Sequence, residues 1–176
     1  RILAAALVAG LLASTPLAAP LSAKTKSGPS LETAEAQVLA LVKQLVAIKS
    51  VEGPGNQTAE ADRAIADALV AGGWARSDID IVPVNDTAYI IATWPGSDPK
   101  LKPLVISGHL DVVAADPKDW QRDPFTPIIE DGFLFGRGAS DMKLDAASAT
   151  SALIELRRQG YKPRRSIVLQ FSGDEE

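Results

Sequence analysis

Two stretches decide how this chain folds: LVISGHLD at residues 104–111 and SIVLQFSGDEE at residues 166–176. In the first, Leu104, Val105 and Ile106 form an unbroken apolar run, the pattern of a strand buried on both faces. The second repeats that pattern through Ile167, Val168, Leu169 and Phe171. Between them, Ala146 to Gln159 carries Ala149, Leu153 and Leu156 on one helical face, with Gly160 as its stop. Strand, helix and strand in this order predict an α/β sheet with at least two parallel members.

Working outward toward the N-terminus, Ile79 to Val84 and Ala88 to Trp94 are short β-branched runs separated by Asn85-Asp86, which predicts a hairpin. Two helices are expected before it. Glu32 to Ile48 repeats Val38, Leu41, Val42, Leu45 and Val46 at intervals of three and four, and a second pattern runs from Thr58 to Val70 before Gly72 and Gly73. Past the first decisive stretch, a long polar loop holds Trp120, Pro124, Phe125 and Pro127, followed by a short Phe133 to Phe135 segment and the glycines Gly136 and Gly138.

The first residues have a different character. Arg1 precedes an apolar run from Ile2 to about Ala13, and prolines and small residues follow, which is the layout of a secretory signal peptide cleaved after Ala23. Lys24 to Ser30 reads as a flexible lead-in. The expected organisation is therefore a signal peptide at 1–23 and an exported region at 24–176, periplasmic or secreted, with no stable membrane span after cleavage. The alternative is an uncleaved anchor, for which the apolar run is short of the roughly 20 residues a span wants.

Composition narrows the chemistry. The 176 residues are 46% hydrophobic and 23% charged, enough apolar material for one core. A formal charge of -4 and no basic stripe argue against a nucleic-acid partner, which needs phosphate-neutralising surface. With no cysteine, a metal here must be held by histidine and carboxylate.

Both decisive strands end in such residues. The first runs into Gly108-His109-Leu110-Asp111, with the chain's one histidine, and the second into Gly173-Asp174-Glu175-Glu176. Parallel strands of one sheet would deliver them to the same edge, where ligands bind in open α/β sheets. Asp141 precedes a helix, whose positive end favours an anion. Four carboxylates (Asp111, Asp141, Glu175 and Glu176) around one imidazole repel each other unless positive charge lies between them, and two divalent cations meet that need. In this reading His109 and Glu176 are ligands, Asp141 bridges, Asp111 fixes the imidazole tautomer and Glu175 is free to act as general base.

These residues resemble the M20 metallopeptidases, the aminoacylase-1 or carboxypeptidase G2 family. SGHLDVV is similar to that family's first metal motif, with His109 matching a zinc ligand and Asp111 the supporting acid. FGRGASDMK is similar to the second, with Asp141 matching the bridging aspartate. SGDEE is similar to the third, with Glu175 matching the general base and Glu176 a zinc ligand. Trp120 and Asp123-Pro124-Phe125 also look like the loop between the first two motifs.

The resemblance covers roughly Ala34 to Glu176. It implies an α/β fold in three layers, a mixed and largely parallel sheet flanked by helices, of which this chain is the N-terminal portion. It further implies two Zn2+ per complete site, with Co2+ or Mn2+ as alternatives, and hydrolysis of a peptide or an N-acyl amino acid. A further acidic ligand, a second histidine and a lid or dimerisation domain are implied beyond Glu176, with a homodimer as one form of the full-length parent. Leu144 and Asp145 depart from the small residues that often follow the family's lysine, here Lys143.

Plainer readings stand beside these. His109 alone would read as a structural histidine, Asp111 and Asp141 as helix caps, and the glutamate pair as a solvated tail. Gly136 and Gly138 lack the full spacing of a nucleotide-binding loop. Trp120 and Phe125 either line a cleft or pack the long loop. A reading from another class is a catalytically silent metal-binding or interaction fragment.

Overall fold

The computed structural model describes residues 31–176; the expected signal peptide and lead-in lie outside the described residues. Helix α1 (Leu31–Ala47) buries Leu41, Val42, Leu45 and Val46, the stripe that its three-and-four spacing predicts. Helix α2 (Thr58–Ala71) starts where the Asn56 side chain accepts hydrogen bonds from the Thr58 amide and hydroxyl, and it stops at Gly72. Strands β1 (Ile79–Val84) and β2 (Thr87–Trp94) form the expected antiparallel hairpin, and Asn85 takes the positive φ of 52° at its turn.

Strand β3 (Leu104–His109) follows, then a small hairpin of β4 (Ile128–Glu130) and β5 (Phe133–Phe135). Helix α3 (Lys143–Arg158) leads into β6 (Ile167–Ser172). The sheet order is β1-β2-β6-β3. β6 lies between an antiparallel neighbour, β2, and a parallel one, β3, so the sheet is mixed and its parallel part among the described strands is β3–β6.

Alternation along the central strands sets the layers. Ala88, Ile90, Ala92 and Trp94 of β2 and Ile167, Leu169 and Phe171 of β6 are buried, in one core with the apolar faces of α1, α2 and α3. The intervening residues Tyr89, Ile91, Val168 and Gln170 are only half-buried. Among the described residues the helices thus cover one face of the sheet, two of the three layers expected. No helix among the described residues is long and apolar enough to cross a membrane.

Two boundaries differ from expectation. β4 falls in a stretch read as loop, because Asp131-Gly132 makes a tight turn there with φ of 51° and 83°. α3 begins at Lys143 rather than Ala146, so the helix starts immediately after the segment that carries Asp141.

Candidate functional site

His109 closes β3, and its register partner on β6 is Ser172. The two parallel strands therefore end level, and the Leu110 amide extends the ladder to the Ser172 carbonyl at 2.9 Å. Asp111 on one segment and Asp174, Glu175 and Glu176 on the other emerge at the carboxyl edge of the sheet. Room for the next layer comes from Gly108: a Cβ there would lie 2.7 Å from Cε of Met142, whose sulfur accepts the His109 amide at 3.4 Å.

The His109 side chain is 7% exposed, and its two nitrogens meet different surroundings. Nδ1 lies 3.1 Å from the backbone carbonyl of Asp111 and 3.5 Å from Oδ1 of the same residue. Nε2 faces Oδ1 of Asp141 at 3.2 Å and Oε2 of Glu175 at 3.6 Å. A carbonyl can only accept, so the ring proton belongs on Nδ1 and the Nε2 lone pair looks toward the carboxylates. A lone pair opposed to anionic oxygens calls for positive charge between them.

Ligand atoms of His109, Asp141 and Glu176 lie within 4.8 Å of one another. Donors held about 2 Å from one ion are at most about 4 Å apart, so the trio is slightly more open than a closed shell. One neutral imidazole and two carboxylates form a donor set suited to a divalent cation. A proton on the ring would balance one carboxylate; a divalent cation balances both.

Asp111 is buried beneath this group. Its Oδ2 accepts the backbone amides of Glu175 at 2.7 Å and Glu176 at 3.0 Å. Its Oδ1 has no hydrogen-bond partner and sits on the Nδ1 side of His109. The sequence assigns the imidazole N–H to this carboxylate. The geometry puts the residue's backbone carbonyl closer and gives the carboxylate a second task, fixing the backbone of both glutamates.

Asp141 reaches Nε2 from the β5–α3 loop, with its side chain 80% exposed. The peptide joining it to Met142 is cis. Gly138 allows this loop to close: its φ is 78°, and a Cβ would stand 2.6 Å from Cγ1 of Val112. The N-cap position of α3 is Met142, with no side-chain cap bond, so Asp141 is not the cap that its place in the sequence suggested. No helix follows Asp111 either, since its side chain serves the β6 end.

Two further residues build the site: Lys143, which the sequence placed in the second motif without giving it a role, and Ser50, which it did not single out. Lys143 is fully buried, and Nζ donates to the carbonyls of Leu45 and Ile48, each at 2.9 Å. Burial pulls its pKa down to about 8, partly opposed by the negative charge of Asp111. Ser50, also buried, donates its hydroxyl to the Leu110 carbonyl at 2.6 Å and accepts the Val112 amide at 2.9 Å.

The aromatic residues of the long loop pack against cationic side chains, and Trp120 also lines a small cavity with Arg122 and Phe135. The Arg137 guanidinium lies 5.1 Å over the Trp120 ring, and the Lys49 ammonium lies 5.4 Å over Phe125. Asp123 shapes the turn, accepting the Phe125 amide and the Thr126 hydroxyl, and these bonds hold its carboxyl below the ordinary range.

Residues 105–176 match the model of peptidase family M20/M25/M40. Over these residues the chain is similar to the M20 peptidase family. The matched segment starts inside β3 and includes His109, Asp111, Asp141, Glu175 and Glu176. Outside it, similarity continues: the chain is 36% identical over 144 residues to succinyl-diaminopimelate desuccinylase of Delftia acidovorans, covering 80% of this chain and 36% of that protein. It is 39% identical over 88 residues to probable carboxypeptidase S-like 2 of Dictyostelium discoideum, covering 49% of this chain and 17% of the relative.

The fold is similar to that of an M20 family metallo-carboxypeptidase from Sulfolobus solfataricus, with a TM-score of 0.67 at 21% identity, covering 79% of this chain and 31% of that one. The chain thus spans about a sixth to a third of the length of these M20 relatives.

Proposed function

We propose that the full-length protein is a two-metal hydrolase that cleaves a peptide or amide bond, with His109, Asp141 and Glu176 among its metal ligands. The observation that supports this most is the convergence of those three side chains within 4.8 Å, beside the free carboxylate of Glu175. When bound, zinc, or Co2+ or Mn2+ in its place, would polarise the scissile carbonyl and acidify the attacking water.

The chain's own residues do the rest. His109 offers Nε2 as a neutral donor because its proton is kept on Nδ1 by the Asp111 carbonyl. Glu175, with a 60% exposed side chain 3.6 Å from Nε2, takes a proton from the attacking water onto a carboxylate oxygen and passes it to the departing amine nitrogen. Asp111 holds that base in place through the Glu175 amide. Export is supported by the leader-like stretch from Arg1 to Ala23.

Replacing Glu175 with glutamine in the full-length protein tests the role of the base. Turnover is expected to vanish while metal content stays near that of the wild type, and retained turnover would remove Glu175 from the mechanism. A second reading, removal of an acyl group from an N-acyl amino acid, uses the same residues and is favoured by similarity to the desuccinylase. Rates on a dipeptide panel against an N-acyl amino acid panel separate the two.

A further inference from the structure

We propose that Lys143 is a positioning residue that ties the loop carrying Asp141 to the segment carrying Asp111, by way of the end of α1. The inference rests on the hydrolase reading above for its effect on turnover, and on geometry alone for the tie itself.

A lysine is almost never fully buried without partners. Lys143 is 0% exposed, and Nζ donates to the Leu45 carbonyl in the last turn of α1 and the Ile48 carbonyl just after it. A carbonyl oxygen has two lone pairs, so each of these can accept the ammonium beside the backbone amide it already holds, and the negative end of the helix dipole adds to the attraction. An apolar side chain would fill the space but take one donor from each carbonyl, leaving only the Ile48 amide on Leu45 and the Ser50 amide on Ile48.

From that anchor the bonds run directly to the site. The Ser50 amide donates to the Ile48 carbonyl at 3.0 Å. Ser50 then binds Leu110 through its hydroxyl and Val112 through its carbonyl, bracketing Asp111 on both sides. At its other end, the Lys143 backbone amide donates to the Gly138 carbonyl at 3.0 Å and closes the loop that contains Asp141. Asp111 and Asp141 face opposite nitrogens of the His109 ring. A tie between their segments therefore sets the slot in which the imidazole sits.

The test uses the full-length protein with Lys143→Met, which keeps side-chain length and removes the donors, together with Ser50→Ala and the double variant. Measured well below the melting temperature, Lys143→Met is expected to lower kcat about 10- to 100-fold with KM little changed, since a displacement near 1 Å can cost about 100-fold. Because both residues act through one path, the double variant should be less than about 3-fold worse than the weaker single variant.

A kcat within about twofold of wild type, whatever happens to Tm, overturns the proposal, as do effects that multiply. If Lys143→Met does not fold, Ser50→Ala decides the matter by the same criterion. Amide exchange reads the tie without turnover: Val112, Glu175 and Glu176 should exchange at least about 10-fold faster in either variant, while Ile90 stays protected. Unchanged exchange at those amides overturns the tie. A wild type that hydrolyses nothing, yet shows this exchange pattern, defeats the hydrolase reading alone.

Discussion

Oδ2 of Asp111 accepts the backbone amide of Glu175 at 2.7 Å, joining the ends of two neighbouring parallel strands across 64 residues of sequence. An ionised acceptor makes this bond stronger than a neutral one. Asp111 is thus the point where the His109 segment and the glutamate segment are held in one frame. Asp111→Asn keeps the shape and removes the charge, and is expected to lower kcat and metal affinity by about 10- to 100-fold, the usual effect of disturbing a group behind a metal ligand. Steady-state kinetics and a competition titration with Zn2+ check this; unchanged values for both would refute it.

Gly138 supplies a second test, of the frame rather than the chemistry. Its φ of 78° and the 2.6 Å approach to Val112 leave no place for a methyl group. Gly138→Ala should destabilise the protein by about 2 kcal/mol or more, through backbone strain and displacement of Val112. Urea unfolding of the two proteins measures the difference. Equal midpoints would show that the loop adapts without strain.

The parallel pair was legible because Leu104 to Ile106 and Ile167 to Phe171 are apolar runs separated by a helix. The burial on both faces expected of the first run is not found: β3 is an edge strand of the described sheet, and Leu104 and Val105 are exposed. From that pair, the common edge for His109 and the glutamates follows. The β4–β5 hairpin carried its own signal in Asp131-Gly132, a pair suited to positive φ, hidden by the polar residues around it. Lys143 stood out only as part of the FGRGASDMK motif, with nothing to say what it does, and Ser50 carried no signal. Their partners lie 98, 95 and 60 residues away, and nothing in a charged or hydroxylated side chain announces that it will be buried.

Asp62 is another residue whose placement the sequence concealed, a carboxylate on the buried face of α2 with neither oxygen hydrogen-bonded. Burial raises its pKa from 3.8 to about 7, with Arg63 opposing. Folding therefore disfavours its ionised form. The penalty is absent below about pH 4, grows as pH rises toward 7 and is constant above, reaching on the order of 4 kcal/mol. Asp62→Asn should raise Tm relative to wild type at pH 8 and lose that advantage at pH 4. An advantage independent of pH would contradict the assignment.

If His109, Asp141 and Glu176 hold metal for hydrolysis, the metal content of the purified full-length protein must depend on His109. Wild type should retain about two divalent ions per chain, and His109→Ala should lose at least one of them together with turnover, while keeping its fold by circular dichroism. A His109→Ala protein that holds the same metal as wild type would contradict the account.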